Sequence, residues 1–394
     1  MIKSFNPPNL SRYQTRALII GVVALVLLLI GAFINHVEFF QAYLIGFAFW
    51  TGISVGSLAL LMLQHLTGGG WGFVIRRILE ASTRTIPLVV ALFVPVIIGS
   101  HSLYEWTHKE VLDANKVISF KTPYLNLSFF TIRAVVYLGI WFLLAFFFNK
   151  WSLQQDRTGD RAYAKNMRVL SGPGMVLLIF TVTFASIDWF MSLEAEWFST
   201  MYGLLFVAAW SLTALAFTIT ALATLSKGEP LNQIVAPLHF HDLGKLLLAL
   251  VMLWAYFSFS QFLIIWSGNL PEEIHYYLKR QGPWNVIVIA IVILHFAAPF
   301  LFLLSRSLKR NPRKLVLIAL LVLVMRLVDL YPVLVPAFSH DEKFHFSWMY
   351  IVAPIAIGGI WVWYFLWELG KRALIPINDP QFESVMEQQH ASGH

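Results

Sequence analysis

A few ionisable side chains stand inside otherwise apolar stretches of this sequence, and they are the residues best suited to chemistry. They comprise two histidines, four acids and two arginines: His101, Glu105, Arg133, Asp188, Glu194, His295, Arg326 and Asp329. A charge at the centre of a bilayer costs at least ~2.5–3.5 kcal/mol, so each such group needs a partner or a task. A histidine beside carboxylates can titrate near neutral pH, as a proton relay requires. All of them except His295 are therefore candidates for a proton path, or for taking protons from a quinol near the outer membrane surface.

The spacing of these residues also fits a structural interpretation. His101 and Glu105 are four residues apart, so they should share one helix face, and a functional role is favoured for them. The two arginines are equally well explained as partners of nearby aspartates in salt bridges that hold the bundle together. These pairs are Arg133–Asp188, and Arg326–Asp329 with a spacing of three.

Redox cofactors find few ligands in this chain. It contains no cysteine, which excludes Fe–S clusters and c-type haem. A b-type haem needs two histidines that face each other, but His101 is expected in the outer half of the membrane and His295 at its centre. His295, with aromatic neighbours, is expected to be a hydrogen-bonded core residue. We therefore expect neither a redox centre nor a metal on this chain.

Two motifs outside the apolar stretches match binding sites only weakly. His239-Phe240-His241-Asp242 lacks a third spaced metal ligand, and Asp242 is expected to cap the seventh helix and lie near a contact between subunits. Thr67–Gly72 is rich in glycine but lacks the Gly-Lys-Ser/Thr ending of a phosphate-binding loop. We expect a tight turn or a close contact with a neighbour there.

Membrane-spanning helices must position all of these residues. Of the 394 residues, 58% are hydrophobic and 12% charged, with a mean hydropathy of +0.69. Soluble domains carry about 25% charged residues, so a soluble enzyme is excluded. The apolar residues are grouped in stretches of bilayer length. They predict an all-α polytopic membrane protein with ten transmembrane helices: 17–35, 42–65, 85–105, 127–149, 173–194, 202–225, 245–267, 284–305, 314–336 and 348–369.

The basic residues predict the orientation of these helices. Of the 28 Lys and Arg residues, 20 fall on the side of the N-terminus, 6 on the opposite side and 2 within helices. This asymmetry places both termini in the cytoplasm. The first helix is expected to be an uncleaved signal anchor. The net charge of +7 is spread over short loops, so nucleic-acid binding is not expected.

Two pairs of similar segments suggest an internal repeat. Trp50 and Gly68 have the same spacing as Trp210 and Gly228. The segment 187–190 resembles 328–331, with Phe-Ser dipeptides downstream at 198–199 and 338–339. The sequence therefore predicts two related four-helix bundles, helices 2–5 within 42–200 and helices 6–9 within 201–340. The segments 1–41 and 341–394 would carry the flanking helices one and ten.

Three groups of motifs resemble one family. They are Leu63–Gly72 followed by Arg76-Arg77, Ser186–Leu193 followed by Trp197–Thr200, and His241–Lys245 followed by Trp254–Phe262 and Trp266–Pro271. These segments resemble the polysulfide reductase NrfD family, and within it the NrfD-like membrane component ActF of bacterial alternative complex III. The resemblance extends over nearly the whole chain.

The resemblance implies a subunit of a quinol:electron-acceptor oxidoreductase. Haems c and Fe–S clusters would belong to partners: a c-type cytochrome, an Fe–S protein and the sister NrfD-like membrane component, which is credited with the quinol site. A menaquinone-type quinol would be the substrate of the complex, with membrane lipid and a terminal oxidase as further partners. Asp188 and the His101/Glu105 pair would contribute to a proton path in this chain.

Other functions stay open at this point. The chain would have a quinol site of its own near helices three to five if His101 and Asp188 accept the quinol protons. A proton-coupled transporter would use the same polar residues for a substrate. In a purely structural anchor the buried charges would be ion pairs only.

Overall fold

The structure is a computed structural model that describes residues 9–338, 346–376, 378–380 and 382. Outside these residues lie Lys3 and Lys343, which enter the charge count. The same is true of Ser339, which belongs to the second pair of similar segments. Parts of the predicted segments 1–41 and 341–394 also lie outside them. Every regular element within the described residues is helical.

Ten segments of the described chain are long and apolar enough to span a membrane, which confirms the predicted ten-helix membrane fold. We label them in chain order: α1 (Ser11–Ile34), α2 (His36–Thr67), α3 (Gly70–Ile98), α4 (Leu127–Thr158), α5 (Ala162–Leu193), α6 (Tyr202–Leu225), α7 (Pro237–Gly268), α8 (Trp284–Leu304), α9 (Pro312–Phe338) and α10 (Met349–Leu369).

Local sequence determines where several spans begin and end. The side chain of Asn35 accepts hydrogen bonds from the amides of Val37 and Glu38 at the start of α2, both at 3.2 Å. Asn126 caps α4 in the same way. These caps satisfy amides that the helix cannot pair internally. Gly159 ends α4 in the left-handed conformation (φ +69°), which glycine adopts without strain.

The third span begins much earlier than the predicted residue 85. It consists of two helical stretches, Gly70–Thr83 and Ile86–Ile98. The first stretch is missed because its charged residues lower the hydropathy, yet Arg76 and Glu80 are almost completely buried. The residues between the second and third predicted helices, 66–84, were expected to form a loop that carries Arg76, Arg77 and Arg84. This prediction is wrong, since most of the segment is a buried helix.

The predicted end of the third helix at residue 105 is also wrong, because the helical stretch ends at Ile98. Ser100–Leu103 forms a single helical turn after α3, Tyr104 is extended, and Glu105 starts a separate 3-10 turn. His101 and Glu105 therefore do not share one helix face. A short, polar and aromatic sequence follows the last apolar residues, and nothing in it sustains the helix.

The most deeply buried span is α2, which packs against α3, α5, α6 and α10. In turn α6 packs against α2, α5, α7 and α9. A Cβ on Gly56 of α2 would lie 2.1 Å from the carbonyl oxygen of Trp210 on α6, so glycine is required for this approach. At the edge, α1 packs against α10. That 42–200 and 201–340 form related units stays a prediction.

The spans alternate in direction, which gives the bundle two ends. We call the end where α2 ends at Thr67 and α5 begins at Ala162 the basic end, because the predicted cytoplasmic Lys and Arg residues cluster there. The opposite end carries the short helices Lys109–Ala114, Lys116–Phe120 and Pro271–Leu278.

Candidate functional site

Asp188, on α5 near the opposite end, is the centre of a buried polar cluster. The guanidinium of Arg133 on α4 donates to both of its carboxylate oxygens, from Nε at 2.8 Å and from Nη2 at 3.0 Å. The hydroxyl of Tyr137 donates to the same carboxylate at 2.9 Å. Arg133 also donates to the carbonyl of Tyr124 at 2.9 Å, and the ring of Tyr124 lies 3.8 Å from the guanidinium carbon. We call Tyr124, Arg133, Tyr137 and Asp188 the Asp188 cluster.

Adjacent helix ends hold this cluster in place. Arg133 lies two turns after the start of α4, and Tyr137 follows one turn later on the same face. The helical stretch of α5 ends at Trp189, just after Asp188, and Ser192 donates its hydroxyl to the Asp188 carbonyl at 2.5 Å. Burial, together with the charge of Asp188, raises the pKa of the Tyr124 phenol, so this phenol stays protonated.

A second buried ion pair joins α5 to α9 through Arg280. The Arg280 guanidinium donates to Glu194 at 2.8 Å, to the carbonyl of Pro332 at 2.7 Å and to the carbonyl of Val333 at 3.0 Å. It also lies 3.3 Å from the centroid of the Tyr276 ring. Burial opposes its charge, but Tyr276 and Glu194 outweigh that effect and raise the Arg280 pKa above its ordinary value. We call this arrangement the Arg280 clamp.

The sequence interpretation missed the Arg280 clamp and counted Arg280 as a charge in an outer loop. Two prolines spaced by four residues were the available signal. Pro336 has no N–H group, so the carbonyl of Pro332 has no helical partner one turn later and accepts from Arg280 instead. The sequence does identify Glu194 as a candidate, but not its partner.

Arg326 and Asp329 contact each other on α9, as their spacing predicts. Beside them on α8 lies His295, which is completely buried. Its ring is 4.2 Å from the Trp254 ring, and neither ring nitrogen has a hydrogen-bond partner among the described residues. The expectation of a hydrogen-bonded His295 is therefore wrong. We call His295, Arg326 and Asp329 the Asp329 cluster.

The π-helical turn Val292–Ala297 explains how α8 presents His295. Pro299 follows this turn and has no N–H group to donate to a carbonyl of the preceding turn. The wider π-helical turn accommodates this missing hydrogen bond. Turns of this kind occur often at functional sites. The unpaired nitrogens of His295 and the unpaired Nε of Arg326 are polar groups inside an otherwise apolar bundle.

His101 lies apart from these clusters, exposed at the opposite end. Its ring stacks on that of His108 with centroids 4.0 Å apart, and its Nδ1 lies 3.3 Å from the hydroxyl of Thr107. No hydrogen bond links it to Asp188 in the described part of the chain. Tyr104 lies between the two regions and donates to the carbonyl of Trp189 at 3.1 Å. The structure thus separates His101 from Asp188.

The largest ion-pair network lies at the basic end and was not predicted. Glu80 accepts from Arg76 at 2.9 Å, from Arg77 at 2.7 Å and from the hydroxyl of Ser152 at 2.6 Å. Arg76 and Arg77 extend the network to two aspartates on other segments, Asp379 and Asp156. These residues, which we call the Glu80 network, join α3 to α4 and to the chain after α10.

The His239–Asp242 motif has a structural use that differs from the prediction. The helix α7 begins at Pro237, and His239 caps it by accepting from the amide of Ala236 at 3.0 Å. Asp242 lies a turn inside the helix and pairs with Lys245 at 3.0 Å, so its predicted capping role is wrong. Within the described residues, no group of three His, Cys, Asp or Glu side chains could hold a metal ion.

No protein-family model matches the chain, and no curated protein matches it. The resemblance to the NrfD family therefore stays a prediction from the sequence motifs. Chemically, the clusters offer carboxylates at membrane depth, each held by an arginine and next to a phenol or an imidazole. Such groups can pass protons over hydrogen-bond distances.

Proposed function

We propose that this chain is an integral membrane subunit of a quinol:electron-acceptor oxidoreductase of the alternative complex III type. It carries no redox centre, supports quinol oxidation by its partner subunits, and conducts protons through the Asp188 cluster. The resemblance supports a place in the bacterial cytoplasmic (inner) membrane. The distribution of basic residues supports an orientation with both termini in the cytoplasm.

One observation carries the proton-conducting part of this proposal. Asp188 is completely buried among membrane spans and is bonded to both a cation and a phenol. It belongs to the motif Ser186–Leu193, one of the segments that resemble the family. The absence of cysteine supports the division of labour, because the electron-carrying groups would then reside on other chains.

Purification of the native particle in mild detergent tests the assignment to a complex. We expect the chain to co-purify with c-type haem and Fe–S signals, measured by absorbance and electron paramagnetic resonance, although it has no cysteine to hold either group. A tagged chain that purifies as a haem-free homo-oligomer would contradict the assignment and favour a transporter.

A cavity next to the Asp188 cluster favours a second candidate, a quinol site on this chain. The cavity measures about 390 Å³ and is almost entirely apolar, and its walls include Tyr124, Ser192, Trp197 and Phe198. Tyr124 belongs to the Asp188 cluster and Ser192 is bonded to Asp188, so a quinol headgroup in this cavity would lie near its proton acceptor.

Photo-labelling distinguishes the two candidates. With an azidoquinone in the intact complex, a quinol site here predicts cross-linked peptides from 120–125 and 187–198, suppressed by excess quinol. Labelling that occurs only on partner subunits would exclude the second candidate.

A further inference from the structure

A polar pocket at the basic end is not used by the proposed function. It measures about 470 Å³ and opens between the end of α2 and the start of α5. The glycine-rich turn that joins α2 to α3 forms part of its wall, and Asp379 of the Glu80 network also lines it.

The glycine-rich turn presents backbone amides without a protein partner. Gly69 precedes the 14-residue stretch Gly70–Thr83 with φ +98°, a conformation that favours glycine. No described side chain caps this helix start, where Gly72 donates to the Gly69 carbonyl at 3.2 Å. Free first-turn amides and the helix dipole together attract an anion.

Two side chains in the pocket wall carry unpaired polar atoms of their own. Gln64 is 3% exposed, and its Oε1 has no hydrogen-bond partner within the described residues. The same holds for Nε2 of His65, whose ring stacks on Phe148 with centroids 5.6 Å apart. A buried acceptor left unpaired costs about 1–3 kcal/mol, so a ligand that supplies a partner to these atoms would be stabilised here. An amide oxygen requires a hydroxyl or amine donor, whereas the N–H group of an imidazole donates to an anion.

Positive charge completes the pocket. Lys165 and Arg168 are three residues apart near the start of α5, and both line the cavity with exposed side chains. Neither has an ion pair with another described residue. The one carboxylate that the described residues contribute to the wall, Asp379, is paired with Arg76. Basic pockets of this kind between membrane helices bind phospholipid headgroups.

A separate apolar groove lies further along the same two helices, towards the middle of the membrane. It measures about 240 Å³ and is lined by α2, α5 and α6, including Leu63 next to Gln64, and Met175. Met175 lies seven residues after Arg168 on the same face of α5, about 10 Å further along. Between them, a Cβ on Gly172 would meet no atom within 4 Å, so the surface is open at this point.

We propose that this pocket binds an anionic phospholipid with a hydroxylated headgroup, of the phosphatidylglycerol type. The phosphate would contact the amides after Gly69, His65, Lys165 and Arg168. A headgroup hydroxyl would donate to Gln64, and one acyl chain would lie in the groove past Gly172. A free phosphate shares the first set of contacts but leaves Gln64 and the groove unused.

Native mass spectrometry of the full chain in dodecyl maltoside tests this proposal. We expect dioleoylphosphatidylglycerol to bind at least tenfold more tightly than dioleoylphosphatidylcholine. The double variant Lys165→Ala/Arg168→Ala should weaken phosphatidylglycerol binding about 30-fold, as expected for two basic side chains near a headgroup. The matched control Arg306→Ala/Lys314→Ala removes the same charges from another part of the basic end and should leave the affinity unchanged.

Gly172→Leu and inorganic phosphate distinguish a lipid from a free anion. A Cβ at Gly172 meets no atom, so a leucine there should obstruct the surface between the pocket and the groove without a clash. We therefore expect weaker lipid binding while circular dichroism stays unchanged. Full competition by millimolar phosphate, or an unchanged lipid affinity in Gly172→Leu, would mean a free-anion site and overturn the proposal. Equal affinity for phosphatidylcholine, or no effect of the Lys165/Arg168 substitutions, would overturn it as well.

Discussion

Replacing Glu80 by alanine is expected to lower the free energy of unfolding by about 3–5 kcal/mol, the cost of breaking a buried ion pair on one side. Glu80 is 1% exposed and accepts hydrogen bonds from Arg76, Arg77 and Ser152 at 2.6–2.9 Å. Without this carboxylate, the two nearly buried guanidinium groups each keep a single ion-pair partner among the described residues, Asp379 for Arg76 and Asp156 for Arg77. The free energy is measured by titration of the purified chain from mild detergent into SDS, followed by circular dichroism.

Two further variants make this result interpretable. Glu80→Gln keeps the shape and the hydrogen-bonding oxygen, so it should lose less stability than alanine and still yield folded protein. Glu229→Ala removes an exposed glutamate at the same end and should change stability by less than about 0.5 kcal/mol. If Glu80→Ala and Glu229→Ala unfold at the same SDS fraction, the Glu80 network contributes no stability and serves another purpose.

The membrane fold could be predicted because hydropathy is a property of each stretch of sequence alone. Each of the ten apolar stretches needs about 20 residues to cross a bilayer, and that requirement is visible without any tertiary contact. The same reasoning fails for Gly70–Thr83, whose two paired arginines share Glu80 within the stretch and find their other partners far away in sequence. Arg76 pairs with Asp379, and a pairing across 303 residues leaves no local signal.

The residue types of the candidate site were predictable, but only some of the pairings between them were. A buried Asp188 needs a cation, and Arg133 was the nearest candidate, so the sequence identifies this contact correctly. Glu194 needs a cation for the same reason, but its partner Arg280 lies on a loop that hydropathy places in water. His101 lacks a comparable constraint, because the helix ends before it and its side chain reaches solvent.

Proline positions link the Arg280 clamp to the Asp329 cluster. The carbonyl of Pro332 has no helical hydrogen bond, because Pro336 lacks an N–H group. It accepts a hydrogen bond from Arg280 instead, at the end of α9 that carries Asp329. Burial raises the pKa of the Tyr276 phenol in the clamp, and of the nearby charges Asp329 makes the smallest contribution. The two groups are therefore linked by the end of α9 that they share.

Removing the charge pair of the Asp188 cluster is expected to stop proton conduction while the fold is retained. The single variant Asp188→Asn leaves Arg133 charged and nearly buried, so a loss of activity could reflect instability alone. The double variant Arg133→Gln/Asp188→Asn removes both charges, keeps hydrogen-bonding side chains of similar size, and leaves no group at this position that can take up a proton. A relay residue contributes about 10²–10⁴-fold to proton transfer, so we expect at least a 100-fold fall in proton movement.

The measurement is quinol-driven acidification in proteoliposomes that contain the intact complex, expressed as the protons moved per quinol oxidised beyond the two that each quinol itself releases. The matched control is Asp242→Asn/Lys245→Gln, which neutralises a pair with a similar 3.0 Å contact on the surface of α7 and should leave the ratio unchanged. Asp188→Glu should conduct protons better than the neutral double variant, because it keeps a titratable carboxylate near Tyr137.

If the neutral double variant is stable and moves protons as the unmodified complex does, Arg133 and Asp188 are only an ion pair between α4 and α5. Protons must then pass through the Asp329 cluster or through another chain of the complex.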